Sequence, residues 1–369
     1  MNLRFPLPLH PHMRSVLFAG IIATLIFTNS CSTDFDLTSD WKDITVVYGL
    51  VESTPADTAT YFRITRAFLN ESGNALDYSQ VPDSLFYAEE DISVRLESCP
   101  ASNSIFTPVK STVLKRVDGN LDGYPRLPGV WANIPNWLYK ANYHASKDST
   151  YRVVVTNTKT GKVTEGIAKV VADFPVTVPS SPQKLQFLPQ YNSTFSWKTA
   201  SNGRAYDLVG RFWYEEITLA TGDSNMKSVD WYIFSNLAAA NSEGGHDMKF
   251  SFSNQTFYDN LNNFLTDNPD VVRRARYIDF TFSVGGDELY TYYLVNSAQT
   301  GITSGLVQPE YTNLTDNTEL GKASYGIFSS RFHKTIPMVS LQPQTIDSLA
   351  CMSSMQHLSF LDSHGNLCH

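Results

Sequence analysis

The segment RVDGNLDGY, residues 116–124, has the residue types and spacing of half a calcium loop. Asp118, Asn120 and Asp122 place oxygens at alternate positions, and Gly123 supplies a bend. A calcium loop also needs a bidentate glutamate at its twelfth position, and here that position is Gly129. The three residues are therefore weak metal candidates in a loop rich in ordinary turn residues. The C-terminal end offers softer ligands in Cys351, His357, His364, Cys368 and His369. Their spacing matches no common zinc pattern. Cys351 and Cys368 read better as a disulfide that closes a loop in an oxidising compartment. Cys99 is then a free thiol, expected as a small buried apolar side chain. No metal or other cofactor is expected.

Nucleophilic catalysis needs a placed nucleophile, a base and oxyanion donors. The chain has no G-x-S-x-G, no H-E-x-x-H, no P-loop and no dinucleotide fingerprint. His144, His246 and His333 stand apart in sequence. The reading is therefore a non-enzyme, with a hydrolase whose site assembles only on folding as an alternative. Aromatic residues offer a different chemistry. Trp131, Trp137, Tyr139 and Tyr143 sit in a proline-punctuated stretch. Exposed rings there would stack on a glycan or a peptide, while buried rings would fill a core or a seam.

Cys31 is the remaining reactive position. Before it, Arg4 and Arg14 precede the uncharged run Val16–Phe27, which is too short to span a bilayer and matches a secretory signal. With Ser30 just ahead of Cys31, the segment resembles a bacterial lipoprotein signal of the relaxed kind found in Bacteroidota. That resemblance implies cleavage after residue 30 and lipidation of Cys31, an anchor of several acyl chains. Asp34 and Asp36 resemble an export signal to the outer face of the outer membrane. Removal of 30 residues would leave 339, with 26 basic against 36 acidic residues and a net charge of −10. An acidic chain without a Lys/Arg cluster argues against nucleic acid.

These residues must be positioned by β structure. Charged residues make up 17% and aromatics 13%, the dress of an extracytoplasmic β-rich protein. The runs at 44–51, 60–69 and 91–98 read as strands, and 151–171 reads as a hairpin turning at Lys159-Thr160-Gly161. They predict an immunoglobulin- or transthyretin-like β-sandwich over 41–176, after a tether at 31–40. The proline- and serine-rich 174–183 marks a boundary. A second β-rich domain is expected over 177–340, with strands at 193–198, 208–219 and 276–284. One or two helices should pack on it. Ser253 caps and Pro269 ends the first, with Phe257, Leu261, Phe264 and Leu265 on one face. The second spans 286–299, with Tyr290, Tyr293 and Leu294 on one face. Residues 341–369 are expected as a tail.

LYTYYLVNSAQTG, then QPEYTNLTDN and YGIFSSR, resemble a family of uncharacterised Bacteroidota lipoproteins carrying a domain of unknown function. The likeness covers roughly 31–335, and Asn313, Gly326 and Phe328 match its closing signature. The resemblance implies an outer-membrane binding protein, lipid-anchored and facing the exterior, that accompanies a TonB-dependent transporter in nutrient uptake. It supplies no catalytic residues. A fimbrillin-like adhesive subunit is the alternative. Asp57-Thr58-Ala59, Asp83-Ser84-Leu85, Asp148-Ser149-Thr150 and Asp347-Ser348-Leu349 also resemble Bacteroidota O-glycosylation sequons.

Overall fold

Short β-branched and aromatic runs between turn residues become strands, and their pairing partners are mostly distant in sequence. A computed structural model describes residues 44–55, 59–67, 78–143, 145–180, 182–297, 311–318 and 324–368. Cys31, the expected signal and tether, Asp57, Thr58, His144 and His369 lie outside the described residues. The first strands are β1 (Thr45–Glu52), β2 (Ala59–Arg66), β3 (Ile92–Pro100), β4 (Lys110–Val113), β5 (Lys115–Asp118), β6 (Trp137–Asn142), β7 (Ser149–Asn157) and β8 (Val163–Lys169). Then come β9 (Val176–Val178), β10 (Asn192–Lys198), β11 (Ala205–Thr218), β12 (Ser224–Ala238), β13 (Asp247–Ser253), β14 (Val271–Gly285), β15 (Leu314–Asp316) and β16 (Ser324–Ser340). The helices are α1 (Pro82–Leu85), α2 (Gln255–Phe264), α3 (Asp287–Ser297) and α4 (Pro343–Cys351).

The largest sheet has the order β12-β11-β14-β16-β1-β2-β6-β5. It is antiparallel except where β1 lies parallel to β16, with Thr45 beside Ser324 and Glu52 beside Arg331. A second sheet runs β15-β8-β7-β3-β4 and a third β13-β10-β9. The chain is thus mainly β, with mixed pairing and a few packed helices.

Two cores hold these layers. The smaller joins β1 and β2 to the second sheet through Val47, Val51, Phe62, Val94, Val153 and Phe328. Buried hydroxyls stitch the same seam. Ser330 Oγ donates to Lys169 O at 2.6 Å and accepts from Val171 N at 3.0 Å. Asn313 clamps Phe328 from the other side, donating to its carbonyl at 2.6 Å and accepting from its N–H at 3.0 Å. The larger core is aromatic. Phe195, Trp197, Phe212, Phe257, Phe280 and Phe282 are fully buried between β10, β11, β14 and α2. Rings that meet edge to face, as Phe195 and Phe280 do at 5.1 Å, contribute about 1 kcal/mol beyond their area.

The sequence reading divides the chain at 176/177. The large sheet takes β1, β2, β5 and β6 from one side of that point and β11, β12, β14 and β16 from the other. Lys42–His369 accordingly group as one compact unit. Proline-rich composition reports a local break in pairing, whereas the β1–β16 ladder is set by contacts far apart in the chain. The expected tail also enters the fold. Leu349, Met355, Leu358 and Phe360 fill the larger core, and Arg273 N–H donates to the Ser359 carbonyl while Leu361 N–H donates to that of Arg273. Phe264, expected on the buried face of its helix, is exposed, because the helix ends there and Leu265 turns inward instead.

Candidate functional site

The two-residue period of a strand sends Val47 and Val51 into the core and leaves Tyr48 and Leu50 on the opposite face. In β2 the same alternation buries Phe62 and Ile64 and turns Tyr61 and Arg63 outward. Tyr48 and Arg63 lie opposite each other across the β1–β2 ladder. That outer face is the floor of a cleft of about 590 Å³. Ile327 and Arg331 of β16 extend the floor, Leu289, Tyr292 and Tyr293 of α3 form one wall, and Tyr124 with Leu138 form the other. The Ser329 hydroxyl helps seat α3, donating to Glu288 Oε2 at 2.9 Å.

Five tyrosines therefore converge from three elements and one loop. Tyr61 and Tyr124 are 4.3 Å apart between ring centroids, and Tyr48 meets Tyr292 edge-on at 6.4 Å. Tyr61 donates its hydroxyl proton to Asp122 Oδ2 at 2.8 Å. Lys140 binds the same carboxylate at 2.8 Å and lies 5.3 Å over the Tyr61 ring. The Lys140 hydrogen bond, then that of Tyr61, holds the Asp122 carboxyl below its ordinary value. At the far end Glu52 is buried and takes Arg331 Nε at 3.0 Å and Thr54 Oγ1 at 2.8 Å.

The weak metal candidates are spoken for by the protein itself. Asp118 Oδ1 accepts from Asn120 N at 3.0 Å and Asn136 N at 3.1 Å. Asn120 Oδ1 accepts from Arg126 N at 2.9 Å, and Asp122 holds Lys140 and Tyr61 as above. Among the described residues no group of three or more His, Cys, Asp or Glu is placed to hold a metal ion. Cys351 and Cys368 form a disulfide with Cα atoms 4.9 Å apart, and Cys99 is a buried free thiol.

Of the four aromatic candidates, Tyr139 lies in the smaller core and Tyr143 packs against it, 5.5 Å from Tyr151. Burial pushes the Tyr139 hydroxyl up to about 12. Trp137 packs on Leu85, Phe86 and Ala132, with the Arg116 guanidinium 4.4 Å over its ring. Trp131 alone of the four is exposed, on a loop that also exposes Leu121, Leu127, Val130 and Ile134. None of the four lines the tyrosine cleft. Sequence reasoning picked a local aromatic cluster, whereas the cleft gathers rings between residues 48 and 293. The one signal present in the sequence was LYTYYLV, whose Tyr292 and Tyr293 do face it.

Folding also brings an isolated histidine to partners. Ser283 Oγ lies 2.8 Å from His333 Nδ1, and His333 Nε2 lies 3.7 Å from Glu52 Oε2. Ser283 and His333 are cross-strand neighbours on β14 and β16. Both strands lie inside the large sheet, where backbone N–H groups serve the ladders. Ser283 does not line the cleft. Neither the known family models nor the curated protein sequences contain a match to this chain.

Proposed function

We propose that this chain is a lipid-anchored, outward-facing outer-membrane protein that binds an oligosaccharide in the tyrosine cleft. It would serve as an accessory to a TonB-dependent transporter in nutrient uptake. The observation that carries the binding part is the convergence of Tyr48, Tyr61, Tyr124, Tyr292 and Tyr293 on one concave face. A peptide that adds to a sheet needs an open ladder. The floor strands β1, β2 and β16 all lie inside the large sheet, and β1 is laddered to β16 along its whole length. The cleft is lined by side chains, and tyrosine rings with polar tips suit the apolar faces and hydroxyl edges of sugars.

The cell-surface part of the proposal rests on the signal-like residues before Cys31 and on the likeness to Bacteroidota lipoproteins given above. Within the mainly β fold, we read β1, β2 and β6 packed on the second sheet as an immunoglobulin- or transthyretin-like sandwich. The exposed apolar loop with Leu121, Leu127, Val130, Trp131 and Ile134 is the surface we assign to the transporter.

The binding reading is tested by titrating oligosaccharide panels into the protein and into Tyr61→Ala and Tyr124→Ala. Loss of either ring should weaken a binding sugar by about five- to tenfold, near 1 kcal/mol. A sugar that binds both variants as well as the parent removes the cleft from the proposal. The alternative hydrolase rests on Ser283, His333 and Glu52. Labelling by a fluorophosphonate that disappears in Ser283→Ala would favour it over a binding protein.

A further inference from the structure

We infer that the sugar taken by this cleft is anionic, and that Arg63 is the residue that reads its charge. This rests on the oligosaccharide reading above and names the class of sugar. Arg63 stands in the cleft floor opposite Tyr48, beside Tyr61, Tyr124 and Leu138. Its Nη2 donates to Asn136 Oδ1 at 2.7 Å, and Asn136 is itself buried and pinned by Asp118 and by the Tyr124 carbonyl. The guanidinium is therefore held in place rather than waving in solvent.

Its charge has no counterpart among the described residues. Among the described residues Arg63 makes no salt bridge, and its Nη1 is buried without a hydrogen-bond partner. The other charged group that acts on it is Arg126, a second guanidinium. Burial first, and Arg126 second, bring Arg63 down to about 10. The remaining charges of the cleft are accounted for. Arg331 is matched by Glu52, and Lys140 at its margin by Asp122. An unpaired N–H out of water is costly, and one on a charged group more so. A carboxylate or sulfate on a bound sugar would supply the guanidinium's missing counter-charge by a charge-assisted hydrogen bond of the kind arginine makes well.

The chain carries a net −8, so its overall field repels an anion. A local uncompensated cation beside the tyrosine rings offsets that repulsion for an acidic sugar. A neutral sugar can offer Arg63 only hydroxyl acceptors and leaves its charge uncompensated.

The test is calorimetric titration of the full chain in detergent with tetragalacturonate, its sulfated counterpart and the matched neutral galactotetraose. At least one anionic probe should bind about 10- to 100-fold more tightly than the neutral one. That advantage should shrink as sodium chloride rises. The carboxylate and sulfate arms distinguish the two sources of charge. Arg63→Gln should remove the advantage, weakening the anionic probe far more than the neutral one, and Arg63→Lys should keep part of it. Should Arg63→Gln fail to give a cooperative melt, the salt dependence of the parent and the Arg63→Lys ratio decide. Equal affinity for charged and neutral probes, or an unchanged ratio in Arg63→Gln, overturns this inference and leaves oligosaccharide binding standing. No binding of any of the three, together with no hit across neutral panels, overturns both.

Discussion

Gly326 is where the join between the first and last long strands is tightest. Its φ is +100°, and a Cβ there would stand 2.0 Å from the Val47 carbonyl oxygen. Gly326→Ala should therefore cost about 2–4 kcal/mol in urea unfolding, from the clash and the backbone conformation together. Gly123 is the control. It also has a positive φ, +86°, but a Cβ would meet nothing within 4 Å. Gly123→Ala should cost only about 1 kcal/mol. Equal losses at the two sites would mean that the contact with Val47 is not what selects glycine at 326.

Glu288 gives a pH signature at the same scale. Burial above all holds its carboxyl above the ordinary glutamate value, with Asp287 adding to the rise. The folded state then binds the proton more tightly than the unfolded one. The stability this contributes is complete below the ordinary glutamate pKa and is lost as pH climbs through the raised value. Asp122 and Glu215 are shifted the other way, so only a difference isolates the effect. Across that window the Tm of the parent should fall relative to Glu288→Gln, with the two closest at the acid end. A constant gap at every pH would mean that Glu288 titrates alike in both states.

Among elements, the C-terminal segment has the clearest consequence. Its disulfide closes a loop of 17 residues, worth about 3 kcal/mol by loop-closure entropy. Cys351→Ser with Cys368→Ser should lose about that much, while Cys99→Ser at a site outside the bridge should leave the disulfide-dependent part intact. Chemical denaturation with and without reductant separates the two. Equal unfolding midpoints in both conditions would mean that the bridge adds nothing to the fold.

Legibility also differed by element. β3 and β10 fall close to the places the alternation marks, since half-buried strands write their burial into a period of two. α2 was readable from its apolar face and the proline beyond it. β12 was not, because as the outermost strand of its sheet it carries a polar, largely exposed sequence at its start. α4 was hidden for another reason. It is short, and its burial depends on Leu349 meeting aromatic residues contributed from 187 to 360. The cleft was the least legible feature, since a concave surface made by β1, β2, β16 and α3 leaves no local pattern.

For the whole molecule, the interleaved sheet predicts that neither half stands alone. A fragment ending at residue 176 keeps β1 and β2 but lacks β16, which pairs along all of β1. It also lacks Phe328 in the smaller core. Such a fragment should unfold without a cooperative transition, as read by calorimetry. A sharp melt close to that of the full chain would restore a free-standing first domain. The proposed partnership is tested at this scale too. A mild-detergent pull-down from native outer membranes should bring down a β-barrel transporter in stoichiometric amount, and substitution of Leu127 and Trp131 by serine should release it. Recovery of the chain alone would leave sugar binding without the uptake role.

The parallel seat of β1 against β16 has a consequence in time. Glu52 finds Arg331 across 279 residues. At about 5–20 residues per second, a ribosome takes roughly 15–55 s to deliver the second after the first. For that interval β1 can pair with β2 on one side only, and its other edge waits. Nascent chains with open strand edges invite wrong partners, so β1 is exposed to mispairing until the last long strand arrives. The same arrangement makes late truncation severe, since losing the end of the message removes the neighbour of its beginning.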